Sequence, residues 1–91
     1  MSFEWDPIKA KTNLAKHSIA FEEATTTFGD SLSLTIPDPD HSQVEDRWIV
    51  IGQSHREKLL VVVYTERGDN IRIISARPAS RRERKQYEEI T

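Results

Sequence analysis

Six of the thirteen basic side chains of this 91-residue chain lie between Ile71 and Tyr87: Arg72, Arg77, Arg81, Arg82, Arg84 and Lys85, with Glu83 the one acid among them. Guanidinium groups grip phosphate through paired N–H donors, so a set of this kind points to a polyanion. With Lys, Arg, His and Tyr side chains at hand, it also points to phosphodiester chemistry. Metal-free cleavage needs a base for the attacking hydroxyl, cations around the phosphate and a donor for the leaving oxygen. RNA brings its own nucleophile, the 2′-OH. A small protein that positions the backbone and stabilises charge can therefore cut RNA. The simpler alternative is a solvated basic face.

The elements that must hold these residues can be read from the same stretch. Ile71, Ile73 and Ser75 alternate with Arg72, Ile74 and Ala76, the period of a strand. Arg77 precedes Pro78 and so is biased to an extended backbone. Ser80-Arg81-Arg82-Glu83 fits a capping box, which predicts a helix from Arg81. Arg72 on the strand, Arg77 at its end and Arg81 in the first helical turn are expected to converge.

The rest of the chain is acidic. Residues 1–70 carry seven Lys/Arg against twelve Asp/Glu, residues 71–91 six against three, giving −5 and +3 and a net charge of −2. That net charge weakens nonspecific RNA affinity and favours a substrate docked by shape or by a larger machine. There is no cysteine, so disulfides, thiol catalysis and cysteine-ligated metals are excluded. No apolar run approaches the ~18 residues of a transmembrane helix. The N-terminus lacks the basic start and apolar run of a signal peptide. A single domain spanning residues 1–91, in the cytoplasm and without membrane contact, is expected.

From the start of the chain, Phe3-Glu4-Trp5 predicts a short strand and Asp6-Pro7 a helix start. Ile8, Leu14 and Ala15 are expected to form the packing face of that helix, which ends at His17-Ser18. A second helix is predicted from Phe21 to Phe28, packing through Ile19, Phe21, Ala24 and Phe28, with Gly29 at its C-terminal cap. Strands follow at Leu32–Ile36, Trp48–Gly52, Leu59–Tyr64 and Ile71–Ala76, the third apolar throughout and therefore central. Short connections imply antiparallel pairing. The expected class is α+β, with the two N-terminal helices covering one face of a four-stranded antiparallel sheet and a C-terminal helix after it.

Other constellations carry less. Asp38, Asp40 and Ser42 begin like a calcium loop, but Gln43 and Ile49 stand where Gly and Glu are needed. His17, His41 and His55 lack ligand spacing, so neither a zinc site nor any other cofactor is expected. Trp5 and Trp48 read as packing residues.

The motifs also form a set. F-E-W-D-P-x-K at Phe3 to Lys9, Asn13-Leu14, Lys16-His17, Phe21 to Ala24, Phe28-Gly29-Asp30, Arg72 to Arg77, and Ser80 to Tyr87 together resemble the BrnT-type toxins. The resemblance implies a RelE-like fold and a metal-independent ribonuclease that halts translation. It implies neutralisation by a BrnA-like antitoxin with a ribbon-helix-helix domain, and contact with operator DNA only through that complex. It also implies functional roles for Lys9, His17, Arg72, Arg77, Glu83, Arg84 and Tyr87. Arg81, Arg82 and Lys85 of the basic stretch itself are expected to bind the RNA. A non-catalytic relative that holds its antitoxin on DNA would need the same fold and much the same surface.

Overall fold

In the computed structural model, residues 2–39 and 46–90 are described. The chain runs β1 (Ser2–Glu4), α1 (Pro7–His17), α2 (Phe21–Thr25), a 3₁₀ turn (Thr26–Gly29), β2 (Leu34–Pro37), β3 (Arg47–Gln53), β4 (Leu59–Arg67), β5 (Asn70–Pro78) and α3 (Arg81–Ile90). Asp40, Ser42 and Gln43, from the loop that only begins like a calcium site, and His41 lie outside the described residues.

The sheet has five strands, in the order β1-β5-β4-β3-β2. Four pair antiparallel as the short connections require, but β1 joins the outer edge of β5 in parallel, with Ser2, Phe3 and Glu4 opposite Asn70, Ile71 and Arg72. The four-stranded antiparallel expectation is corrected here. Three residues carry no local sign of a partner so far along the chain. The pairing is fixed by long-range contacts, Ser2 to Asn70 and Glu4 to Arg72.

Where β1 stops, α1 takes over the edge of β5. Its start is as expected: Asp6 accepts from the Ile8 N–H at 2.8 Å and Pro7 occupies the first turn. Its packing side is not. Ile8, Leu14 and Ala15 are exposed, Ile8 by 76%. The helix turns Ala10 and Asn13 inward instead. The reason is that α1 lies against a strand edge, whose N–H and C=O groups need a polar partner. Asn13 supplies one. Its Nδ2 donates to Ala76 O at 2.8 Å and to Ile19 O at 3.0 Å, and its Oδ1 accepts from the Ala76 N–H at 3.1 Å.

The second helix is shorter than its apolar spacing predicts, because Thr25, Thr26 and Thr27 each donate a hydroxyl to the carbonyl three residues back and tighten the chain into a 3₁₀ turn. Its packing residues are as expected: Ile19, Phe21 and Ala24 are buried, and Phe28 packs on the same core. This core lies on one face of the sheet, with Val50, Leu60, Val62, Tyr64, Ile71, Ile73 and Ala76. Trp5 meets Phe21 edge-on at 5.9 Å, and Phe28 meets Tyr64 at 5.0 Å. Gly52 permits the close approach here, since a Cβ would lie 3.1 Å from Thr27 O.

On the other face, Ile51, Leu59 and Val61 form a smaller cluster under Ala79 and Tyr87, at the α3 end. β4, central and buried on both faces as its composition predicts, separates the two clusters.

Candidate active site

The position of every β5 side chain depends on one irregularity. Tyr64 pairs with Ile73 and Val63 with Ser75, so Ile74 is an extra residue, a β-bulge. Strict alternation would place Arg72 and Arg77 on opposite faces. With the bulge, Ala76 joins Ile71 and Ile73 in the core, while Arg72, Ser75 and Arg77 all face the α3 side, opposite Thr65, Val63 and Val61. Along that face Ser75 and Arg77 are about 7 Å apart at their Cα atoms, and Arg72 and Arg77 about 13 Å.

The arginines are therefore on one face without converging, and each has an acid of its own. Arg72 Nη1 lies 2.8 Å from Glu4 Oε2, across the β1–β5 pair. That contact first, then the Asn70 amide, holds the Glu4 carboxyl below its ordinary range. Arg77 forms a two-pronged pair with Glu83, Nη1 to Oε1 at 2.8 Å and Nη2 to Oε2 at 2.7 Å. The expected capping box is present: Ser80 N–H donates to Glu83 Oε1 at 2.8 Å, and Glu83 N–H to Ser80 Oγ at 3.2 Å. These contacts, Arg77 foremost, bring Glu83 down to about 2. A carboxylate so held is a weak proton acceptor near neutrality. Its two oxygens fix the orientation of the Arg77 guanidinium. Two prongs leave further guanidinium N–H donors for a phosphate.

Tyr87 is likewise committed. Its hydroxyl donates to Asp30 Oδ2 at 2.7 Å, which with burial pushes it up to about 12. Asp30 is a hub that sequence reasoning missed. Its two oxygens also accept the Leu32 and Gln53 N–H groups at 2.9 and 2.8 Å. Burial raises the Asp30 carboxyl, but these three donors outweigh it and hold it low. Asp30 thus ties α3 to the β3 end of the sheet. Asn13 was missed too. Its signal was available, since a mid-helix asparagine costs helix propensity unless its amide is used.

Two predicted residues from the start of the chain do come together. Lys9 and His17 line a cleft of about 260 Å³ between α1 and β5, with Ile8, Thr12, Lys16, Ile74 and Ser75 beside them. The capped start of α1 and the Asn13 amide fix this helix against β5, which sets the two lysines and the imidazole over the bulge. Ammonium groups attract a phosphate, and imidazole is the side chain best suited to proton transfer near neutral pH. Arg81, Arg82, Arg84 and Lys85 stand exposed on α3. Among the described residues, no three His, Cys, Asp or Glu side chains gather to hold a metal.

Residues 5–83 match the family model described as "Ribonuclease toxin, BrnT, of type II toxin-antitoxin system". The chain belongs to the BrnT family. The match takes in both sides of the α1–β5 cleft and the Arg77–Glu83 pair, and it ends before Arg84 and Tyr87. The fold of this BrnT-family member is similar to the crystal structure of the Brucella abortus ribonuclease toxin BrnT, with a TM-score of 0.66 and 25% identity over 89% of this chain and 99% of that one. Comparison with curated proteins gave no match. No helix among the described residues is long and apolar enough to cross a membrane.

Proposed function

We propose that this chain is an active, metal-independent endoribonuclease, a single toxin domain of RelE-like type that works at the α1–β5 cleft. The observation that carries this is the meeting of Lys9, Lys16 and His17 with the bulged strand, whose Ser75 lines the cleft and shares its face of the sheet with Arg77. His17 takes the proton of the 2′-OH, the 2′ oxygen bonds to phosphorus, and the 5′ oxygen departs with a proton passed on to it. Lys9, Lys16 and Arg77 hold the phosphate as its charge redistributes. Glu83 orients Arg77, Tyr87 anchors α3, and the exposed Arg81, Arg82, Arg84 and Lys85 draw in the RNA backbone. Arg72, paired with Glu4 further along the face, binds substrate away from the scissile bond.

The partner is a BrnA-like antitoxin. An acidic, amphipathic segment of it would compete with Glu4 and Glu83 for Arg72 and Arg77 and cover the cleft, while its ribbon-helix-helix half recruits operator DNA. Free in the cytoplasm, the toxin would inhibit translation.

Induced alone in bacteria, the chain is expected to stop growth, with amino-acid incorporation falling before RNA synthesis. Normal growth with soluble, folded protein accumulating would instead identify a binding module that serves its antitoxin on DNA.

A further inference from the structure

A second cleft, of about 380 Å³, opens where β3 turns back into β4. The turn beneath it is firmly built. Ser54, buried, donates its hydroxyl to Glu23 Oε2 at 2.7 Å, and Glu23 is itself only 5% exposed. Ser54 Oγ in turn accepts from the Arg56 N–H at 3.2 Å, and Glu57 is held at φ 62.

The network also fixes the ring of His55. Thr26 Oγ1 donates its one proton to Glu23 O at 2.6 Å. Toward His55 it can therefore only accept, from the backbone N–H at 2.9 Å and from the ring at 3.3 Å. In that contact the ring Nδ1 is on the donor side. The Glu57 carboxylate and the Gln53 amide line the same cleft, and neither side chain makes a hydrogen bond among the described residues. The free groups are thus one carboxylate, which only accepts, and one amide that both gives and accepts. Arg56 and Lys58 stand exposed on either side of Glu57.

Acceptors in the cleft and exposed cations one residue to either side of Glu57 suit a nucleotide whose base presents donors and whose phosphates stay outside. Guanine presents two adjacent donors on its Watson–Crick edge, N1–H and N2–H₂, which a carboxylate accepts side by side. The other bases offer a single donor group beside an acceptor. Single-stranded RNA displays this edge to a protein. We propose that this cleft is a guanine-binding subsite, separate from the α1–β5 cleft, through which the chain selects where its RNA is held. The proposal rests on the ribonuclease function above.

Amide shifts of the isotope-labelled protein, titrated with the four nucleoside 3′-monophosphates, test it without requiring cleavage. Guanosine 3′-monophosphate is expected to move the Thr26 and 53–57 amides and to bind at least about tenfold more tightly than the others. Glu57→Gln should erase that preference. Glu57→Gly should do the same while relieving the backbone at φ 62, so loss of folding cannot account for both. Equal binding of all four nucleotides, shifts confined to the α1–β5 cleft, or a turn that answers only to an arginine-rich peptide would each overturn the subsite. Guanine binding without RNA cleavage would support the subsite and remove the ribonuclease assignment. Cleavage without guanine binding would do the reverse.

Discussion

Arg77→Ala is expected to lower RNA cleavage by about 10²–10³-fold, the usual consequence of removing one oriented donor from a transition state that develops charge. The fold should lose far less. The guanidinium is half-buried, and the Glu83 carboxylate left behind still accepts from the Ser80 N–H. Arg77→Lys keeps the charge but cannot form the two-pronged pair, so it should recover only part of the loss. Arg81→Ala or Arg82→Ala, on the exposed first turn of α3, should cost much less.

Glu83→Gln separates orientation from stability. The carboxyl of Glu83 sits near 2 in the folded chain, below the ordinary carboxylate range, so its contribution is present above about pH 4.5 and is lost as pH falls toward 2. Since the Arg77 side chain is 42% exposed, solvent screening leaves about 1–2 kcal/mol of that contribution. The Gln variant should be less stable by this amount at neutral pH and should converge with the parent in acid. A fully active, fully stable Arg77→Ala protein would show that the phosphate is held elsewhere.

The largest effect on stability is expected at Asn13. Leucine has the same branching at Cγ, but Asn13→Leu would strand the Ala76 N–H and C=O and the Ile19 carbonyl, all now satisfied by one amide. Each buried group left without a partner costs about 1–3 kcal/mol, so a loss of about 3–5 kcal/mol is expected, a large share of the 5–15 kcal/mol of a typical domain. Denaturant unfolding would measure it. A change below about 1 kcal/mol would mean that α1 is held by its apolar contacts after all.

Much of the helical skeleton was legible in the sequence, because its signals are local. Asp6-Pro7 starts α1, the Ser80–Glu83 box starts α3, and the apolar run from Leu59 marks the central strand. The burial of Ile19, Phe21 and Ala24 followed from their spacing. What was not legible is long-range. The apolar residues of α1 suggested a packing face, but the helix covers a strand edge and uses Asn13 for the purpose. The bulge at Ile74 appears only when β5 is set against β4, yet it decides that Arg72 and Arg77 share a face. The acids that answer those arginines differ in the same way. Glu83 is six residues from Arg77 and was visible as a cap; Glu4 is 68 residues from Arg72 and was not.

The α1–β5 cleft, as a site of metal-free cleavage, makes a definite demand on its products. Purified chain, incubated with a labelled RNA in EDTA, should leave 2′,3′-cyclic phosphate or 3′-phosphate ends facing 5′-hydroxyl ends, which mass spectrometry distinguishes. Activity abolished by EDTA and restored by magnesium, or products bearing 5′-phosphates, would contradict a 2′-OH attack organised by Lys9, His17 and Arg77.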